Sequence, residues 1–538
     1  MRYLQLAHNE WDPEAGQSKA KVIHSFGRED QVDRDALARL VRSISRMLEP
    51  EQQLAAQASA ELSFVGSAPL GGAWALDGLW RQLGVDETLR GLLADRRIDA
   101  RAERLVLAMV ANRALAASSK RACAGWLDAD VVIPGLGELG EDPQPLYRAM
   151  DWLLEVEAAL AEAVYWATAD LLNLEVDLLF FDTTSTYFET ECADEPTEGA
   201  RVGFRTWGKS KDHRGDLPQI VIGMAVTRGG IPVRVWCWPG NTNDSALIRQ
   251  VKDDLRAWKL TRVVWVGDRG FTSAENRRYL QRAGGHYILG EKLRGGTPEA
   301  DAALSRQGRY HTVADNLQVK EVVIDDATMR DRFVICRNPD AAERDRIVRV
   351  QLLETLSEQI TGSDRLPTEK RAALAAGLPA GLRRFLRTTP AGKLRIDRAA
   401  VAAEERLDGK FLLRTSDPSL SAEDVALGYK QLLEVERGWR DMKSTLDLRP
   451  VYHRLEDRIR AHVLLCWLAL LLIRIAETRT GDTWANVRRD LQRLHLGTFV
   501  GPAGTVRQRT QTTHTQRRIL AALDIDEPPE FFDITPSA

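Results

Sequence analysis

The chain has 538 residues, of which 44% are hydrophobic and 28% are charged, a composition typical of a globular protein with room for three or more domains. Its 74 basic and 77 acidic residues leave a net charge of −3. Proteins that coat nucleic acid without regard to sequence are usually strongly basic. The composition therefore excludes that class and limits any DNA contact to local basic patches.

The cysteines and the apolar runs predict a cytoplasmic protein. The five cysteines are scattered, and none has the spacing of zinc ligands. The first residues, MRYLQLAHNEWDPE, lack an apolar signal core, and the longest apolar run, 463–473, is shorter than the ~20 residues that span a bilayer. Scattered single thiols suit the reducing cytoplasm.

The first third of the chain is predicted to hold a hairpin, a helix and a helical domain. Within residues 1–67, the stretches 2–8 and 19–25 are predicted to pair as a hairpin, and a helix is predicted from Asp35 to Met47. Residues 68–174 are rich in Leu and Ala at 3.6-residue spacing, which predicts an all-helical domain.

Residues 175–290 change to the pattern of an α/β fold. The apolar run VDLLFF predicts a buried strand that stops at Asp182, and RVVWV predicts a second buried strand that leads into Asp268. The other predicted elements are two strands joined at Gly229-Gly230, helices over 244–259 and 273–283, and a strand over 286–290. This order is that of a ribonuclease-H-like catalytic core.

Residues 291–409 interrupt that order and are predicted to form an inserted α+β domain. The second part of the core, 410–480, begins with the strand KFLLRT. It contains a helix over 422–444 and another over 453–477, which is apolar nearly all round and is therefore expected to be buried. Residues 481–538 are predicted to be a basic tail with a frayed end over 527–538.

The helix over 422–444 carries an unusual polar column. Tyr429, Glu436 and Lys443 are spaced by seven residues, which turn an α-helix by about 700°, so the three side chains share one face. At a rise of ~1.5 Å per residue, Tyr429 and Lys443 each lie about 10 Å from Glu436 along the helix. This column indicates partners elsewhere in the chain.

Asp182 and Asp268 are the candidate partners of Glu436. Both lie where a buried strand ends, and ligands of open α/β sheets bind at such strand ends. A single Asp there is more often a turn former or a helix cap. Three acids from two strands and a helix instead favour hard divalent cations such as Mg²⁺, and two such ions suit phosphodiester cleavage or joining.

Two groups of residues are candidates for DNA contact. Lys443 and Tyr429 are placed to bind phosphates on either side of Glu436; the alternative is a solvated lysine and a tyrosine packed in the core. The loop over 201–214 interleaves basic and aromatic residues, which suits backbone contact plus base stacking, and a solvated loop is the alternative. Its candidates are Arg201, Phe204, Arg205, Trp207, Lys209, Lys211 and Arg214.

These motifs resemble those of a known family. FFDTTS, WVGDRGF and YKQLLEVERGWRDMKS are similar to the acidic motifs of the DDE transposases of bacterial insertion sequences, in the branch with a Tyr-x2-Arg-x3-Glu-x6-Lys signature. The resemblance spans residues 175–480. Leu432 stands where the signature has arginine, and Arg437 and Arg440 are the candidates to supply the missing charge.

The resemblance implies an activity and partners. Asp182, Asp268 and Glu436 would be both the catalytic triad and the ligands of two Mg²⁺ ions, with Mn²⁺ able to substitute. The resemblance also implies a mostly β inserted domain, recognition of the element's terminal inverted repeats by the helices of 68–174, and cut-and-paste transposition by a homodimer in a synaptic complex at the bacterial nucleoid. It further implies excision through a DNA hairpin, with Trp207 helping to hold a flipped base.

Two other functions stay open from the sequence. One is a metal-dependent nuclease of the same fold without strand transfer. The other is a degenerate copy that still binds DNA, which Leu432 favours.

Overall fold

The computed structural model describes two compact units. The first comprises Met1–Ser67, Leu496–Thr510 and Pro529–Ala538, and the second comprises Ala68–His495 and Gln511–Pro528. The described residues are all those of the chain except 1, 13–16, 29–31, 46–61, 94–97, 172–177, 197–201, 257, 259–262, 326–329, 502–503 and 537–538.

The first unit contains the predicted hairpin. Strand β1 (Tyr3–Asp12) pairs antiparallel with β2 (Gln17–Arg28), and helix α1 (Arg34–Ser45) follows. The last two residues of the predicted helix, 46 and 47, lie outside the described residues. A four-stranded sheet has the order β17-β16-β15-β3, with β3 at Ser63–Pro69, β15 at His495–Gly501, β16 at Gly504–Arg509 and β17 at Phe531–Pro536. The frayed end predicted over 527–538 is therefore wrong, because β17 pairs with β16.

The second unit begins with the predicted helices. They are α2 (Gly71–Gln82), α3 (Val85–Leu93), α4 (Ala102–Ala116), α5 (Lys120–Ala129), α6 (Gln144–Glu155) and α7 (Glu157–Leu171). Helix α4 is buried on every side over Ala102–Leu115, including its four polar residues Glu103, Arg104, Asn112 and Arg113.

A mixed sheet follows, built first from β4 (Leu178–Tyr187), β5 (Gln219–Thr227), β6 (Pro232–Pro239), β7 (Val264–Gly267) and β8 (His286–Glu291). Helices α8 (Asp244–Arg256) and α9 (Ala274–Gln281) lie between these strands in the chain. The spatial order is β6-β5-β4-β7-β8, with β5 antiparallel to its neighbours and β4, β7 and β8 parallel. The strand order along the chain is the predicted one.

The sequence predicted that strand β4 stops at Asp182, and this is wrong. The strand continues to Tyr187 because β5 pairs with it along its whole length. The parallel pairing with β7 ends earlier, at Phe181 and Gly267. Asp182 is therefore the first residue of β4 after its pairing with β7 has ended.

Residues 291–409 differ from the mostly β inserted domain that the resemblance implies. Strands β9 (His311–Ala314), β10 (Leu317–Asp325) and β11 (Arg330–Arg337) join the core sheet through β14 (Lys410–Thr415), which gives the order β6-β5-β4-β7-β8-β14-β11-β10-β9. The remainder is mainly helical: α10 (Pro298–Ser305), α11 (Pro339–Ile360), α12 (Thr368–Gly377), α13 (Ala380–Arg383) and α14 (Arg398–Glu405), with a short hairpin of β12 (Leu386–Thr388) and β13 (Leu394–Ile396).

The single helix predicted over 422–444 is two helices, α15 (Ala422–Lys430) and α16 (Leu433–Ser444). Between them the backbone tightens to three-residue hydrogen bonds, from the Gln431 N–H to the Gly428 carbonyl (3.1 Å) and from the Leu432 N–H to the Tyr429 carbonyl (3.0 Å). The periodicity of the side chains could not reveal this step, because both halves keep helical spacing.

The last helices pack around a central apolar helix. Helix α17 (Glu456–Thr480) is long and apolar enough to cross a membrane by length and composition, and 94% of its most apolar window is buried inside the protein. This burial on all sides confirms the prediction of a buried helix. Helices α18 (Trp484–Leu491) and α19 (His514–Ala522) complete the unit.

Candidate active site

The sheet brings the two predicted aspartates together. Strands β4 and β7 are parallel, and their last paired residues are Phe181 and Gly267. Asp182 is the next residue of β4, and Asp268 directly follows β7, so the two aspartates lie side by side. Both side chains are half-buried. This edge of the sheet is where parallel strands present their carboxyl ends to a ligand.

Helix α16 supplies the third carboxylate. Its buried face carries Val435 and Met442, and Gly438 lets the side chain of Met224 on β5 approach closely. Glu436 lies beside this face and is exposed. The far end of the helix is held by the buried Arg474 of α17, which lies 2.6 Å from the Asp441 carboxylate.

Asp182, Asp268 and Glu436 line one cavity of about 310 Å³. The structure therefore places all three predicted catalytic residues around a common space. The remaining lining residues are Phe411, Tyr429, Lys430, Leu432 and Leu433.

The charge around Asp182 is unbalanced toward the negative. The pKa of Asp182 is raised to about 6, mainly by burial and also by the neighbouring carboxylates of Asp268 and Asp244, against the opposing effect of Lys211. The Lys211 ammonium lies 3.8 Å from Asp182 and 3.4 Å from Asp244. It also donates to the carbonyl and hydroxyl oxygens of Thr183, at 2.6 Å each.

Tyr429 lies inside the site and not at one end of it. Its hydroxyl donates to Asp268 Oδ1 at 3.4 Å, and burial followed by the charge of Asp268 raises its pKa. On a straight helix Tyr429 would lie about 10 Å from Glu436. The sequence therefore predicted that Tyr429 lies outside the cluster of carboxylates. Tyr429 and Glu436 nevertheless line the same cavity.

Lys443 is paired within the protein. Its ammonium lies 2.9 Å from Asp212 and donates to Thr184 Oγ1 at 2.8 Å, while Arg449 lies 2.7 Å from the other oxygen of Asp212. Burial is the largest influence on Lys443 and lowers its pKa. Its contact with a DNA phosphate stays a prediction.

The basic loop divides into exposed and paired residues. Trp207 and Lys209 are exposed to solvent, and Lys211 reaches the carboxylates. Arg205 pairs with Asp194, and Arg214 pairs with Asp216 at 2.9 Å. Phe204 is buried against Arg460, and Arg201 lies outside the described residues.

Neither of the arginines predicted to supply the charge missing at Leu432 lines the cavity. Leu432 lines the cavity, but Arg437 pairs with Glu434 and Glu477 instead of reaching it. Arg440 is exposed and does not line the cavity either. Among the lining residues the cation is Lys430, at the end of α15.

Sequence reasoning missed several residues of the site. Asp244, Asp212, Arg449 and Lys430 all contact or adjoin the predicted residues, yet none of the four is among the candidates predicted from the sequence. Asp244 begins helix α8, so the sequence offers it as an ordinary first-turn acid. A weak signal existed for Asp212, since it is the acid within the basic loop.

The donor set fits a hard cation. Carboxylate oxygens are the ligands that Mg²⁺ takes, and Asp182 is a largely buried carboxylate with two further carboxylates, Asp268 and Asp244, close enough to raise its pKa. As the side chains stand, however, no group of three or more His, Cys, Asp or Glu among the described residues is close enough to hold a metal ion. Direct binding would require the exposed Glu436 to approach the aspartates.

Comparison with known proteins gave one match that identifies a family. No curated protein sequence matches the chain. A cryo-EM structure of a piggyBac transposase synaptic complex with hairpin DNA aligns over 79% of this chain and 82% of that chain, with 10% identity and a TM-score of 0.37, a likeness too low to support an argument. The family profile of the transposase DDE domain matches residues 179–472, more than half of the chain and all three carboxylates. The chain therefore belongs to the transposase DDE domain family.

Proposed function

We propose that this protein is a DNA transposase that cleaves the ends of a mobile element and joins them to target DNA by cut-and-paste transposition. The observation that carries the proposal is the convergence of Asp182, Asp268 and Glu436 on one cavity in a chain of the DDE family. The arrangement of β6-β5-β4-β7-β8, antiparallel on one side of β4 and parallel on the other, supports a ribonuclease-H-like core.

The three carboxylates would hold two Mg²⁺ ions, or Mn²⁺ in their place. When bound, such ions activate an attacking oxygen and stabilise the leaving oxygen of a phosphodiester. Asp182 and Asp268 provide the fixed half of this site from the sheet. Glu436 would supply the third carboxylate from α16, and Tyr429 orients the Asp268 carboxylate by its hydrogen bond.

DNA would contact the cations around the cavity. Lys430, Lys443 and Arg440 offer charge to phosphates along the two helices, and the exposed Trp207 and Lys209 offer stacking and charge from the loop. Arg214 and Lys211 would exchange their carboxylate partners for phosphates. The helices of 68–174 would recognise the element's ends in a homodimeric complex, in the cytoplasm.

The first prediction concerns metal-dependent cleavage. Purified protein with Mg²⁺ is expected to nick DNA that carries the inverted repeats flanking its gene, and EDTA should stop the reaction. Asp268→Ala is expected to lower the rate by at least about 100-fold, because it removes a carboxylate that binds metal. Asp301→Ala, an exposed acid on α10, is the matched control and should retain the wild-type rate.

A joining assay separates transposition from simple hydrolysis. Pre-cleaved ends are mixed with plasmid, and joined product is expected only with wild-type protein. Cleavage without any joining would identify a nuclease. DNA binding without cleavage would identify a degenerate copy, the function that Leu432 favours, and either result would overturn the proposal.

A further inference from the structure

A second cavity, of about 570 Å³, lies between the helical region and the segment that follows α16. It shares no residue with the cavity of the three carboxylates. It is lined by Arg113, Ala117, Ser118, Ser119, Lys120, Tyr147, Asp447, Pro450, Tyr452, His453 and His462. We call it the Lys120 cavity.

Two buried cations dominate this cavity. Lys120 and Arg113 are each 3% exposed. Across the described part of the chain, no carboxylate pairs with either side chain, and the Lys120 ammonium has no hydrogen-bond partner. Asp447, the acid among the lining residues, is exposed and forms an ion pair with neither cation.

The two cations differ in their hydrogen bonds. Arg113 is committed to the backbone, donating to the carbonyls of Leu446 and Asp447 at 3.4 Å each. It therefore ties α4 to the segment that follows the Glu436 helix. Lys120 has no such role, and burial lowers its pKa to about 8, with the charge of Arg113 contributing.

The N-terminus of α5 adds to the positive potential. Lys120 is its first residue, and Ser119 caps it by accepting from the Ala122 N–H at 3.2 Å. The positive end of the helix dipole and the two cations thus meet at one place. A buried, unpaired ammonium is costly, so this position is suited to an anion that neutralises it.

The cavity has room for more than a bare anion. Its volume is within the range of roughly 300–1,000 Å³ typical of small-molecule sites. Tyr147, Tyr452 and His453 supply rings on which a base can stack, and burial lowers the pKa of His453 to about 4, so its ring is neutral at pH 7. The lining therefore combines a phosphate position with an aromatic surface.

We propose that the Lys120 cavity binds a phosphate group together with its attached nucleoside, with Lys120 contacting the phosphate. The source that the structure favours is a DNA strand, because the cavity wall from Asp447 to His453 continues directly from the helix of Glu436. This choice of source rests on the proposed function. A free nucleotide has the same chemistry and is the other source to be tested.

The first test is ligand-induced thermal stabilisation of the full-length protein. Inorganic phosphate, and more strongly thymidine 5′-monophosphate, should raise the wild-type melting temperature relative to chloride at equal ionic strength. Lys120→Met should abolish this shift, and Lys120→Arg should retain it. Without ligand, Lys120→Met should be at least as stable as wild type, because it removes an unpaired buried charge. Lys370→Met, an exposed lysine on α12, is the control and should keep the full shift.

The second test identifies the source of the phosphate. For binding to duplex DNA, the slope of log Kobs against log[salt] should fall by about 1 in Lys120→Met, the amount expected for one lost phosphate contact. An unchanged slope together with stabilisation by thymidine 5′-monophosphate would overturn the DNA source. An equal phosphate shift in wild type and Lys120→Met, or none in wild type, would overturn the site itself.

The outcomes also separate this inference from the proposed function. Mg²⁺-dependent cleavage with no phosphate shift would overturn the Lys120 site alone. A shift that depends on Lys120, in a protein that neither cleaves nor joins DNA, would overturn the transposase function alone.

Discussion

At the scale of single residues, the fold gathers more acidic than basic side chains around Asp182. Burial raises the pKa of Asp182 most, the nearby carboxylates of Asp268 and Asp244 add to the rise, and Lys211 opposes it. Asp212, the residue after Lys211, pairs with two cations, Lys443 and Arg449. Two adjacent residues of one loop thus have opposite partners. Lys211 lies beside the carboxylates of the site, and Asp212 lies beside the basic side chains.

The Asp182 carboxylate is expected to lower the stability of the metal-free protein. Its pKa rises from an ordinary value of 3.8 to about 6 on folding, so between these values the folded state binds more protons than the unfolded state. Stability should therefore fall as pH rises from about 4 to 6. Asp182→Asn should remove this fall and be more stable than wild type at pH 7 by about 3 kcal/mol in urea unfolding without divalent ions.

Divalent ions provide the control for this variant. Mg²⁺ should raise the melting temperature of wild type more than that of Asp182→Asn, because the variant lacks a metal ligand. A variant less stable than wild type at pH 7, or equally stabilised by Mg²⁺, would contradict the view that Asp182 is a poorly compensated charge.

At the scale of elements, α15 and α16 both contribute to the site. Tyr429 at the end of α15 contacts Asp268, and Glu436 on α16 lines the same cavity. Gly290 on β8 makes room for this contact. A methyl group in place of its hydrogen would lie 2.3 Å from the Tyr429 hydroxyl oxygen.

Gly290→Ala should therefore displace Tyr429 from Asp268. We expect DNA cleavage to fall by about 10–100-fold, the usual effect of losing a side chain that orients a metal ligand. Gly428→Ala on α15 is the matched control, because a methyl group there makes ordinary contacts of 3.4 Å with Leu178 and 3.7 Å with Ile288. If both variants cleave at the wild-type rate, the Tyr429 contact has no part in the reaction.

At the scale of the whole molecule, residues 291–409 are built into the core sheet. Strand β14 pairs with β8 on one side and with β11 on the other, so the added strands extend the sheet that carries the aspartates. A buried ion pair marks this seam. The fully buried Arg414 of β14 lies 2.9 Å from Glu291 of β8 and 3.6 Å from Glu299.

Arg414→Leu should destabilise the protein because it leaves Glu291 with less compensation inside the sheet. The expected loss is about 3–5 kcal/mol in the free energy of unfolding, as for other buried pairs that lose one partner. Arg398→Leu, an exposed arginine on α14, should change it by less than about 0.5 kcal/mol. Equal effects of the two substitutions in urea unfolding would show that the seam contributes little.

The strand order, the helical region and the three carboxylates were accessible from the sequence, whereas the surroundings of those carboxylates were not. Apolar runs and helical spacing depend on neighbours in the chain, so they predicted β7, β8 and α17 well. Asp244 and Asp212 belong to a helix start and a loop, where acids are common for local reasons. Their contacts with Lys211, Lys443 and Arg449 arise only when distant segments meet.

The sequence by itself determined which chemical groups the motifs carry. These are an acid after each of two buried strands, a glutamate on a helix, and a tyrosine and a lysine seven residues to either side of that glutamate. Only the tertiary structure decided that the glutamate helix breaks after Lys430, that β4 continues past Asp182, and that a buried Lys120 faces a separate cavity. The last two depend on packing between segments far apart in the chain, because pairing with β5 extends β4 and burial isolates Lys120. No local sequence pattern encodes such contacts.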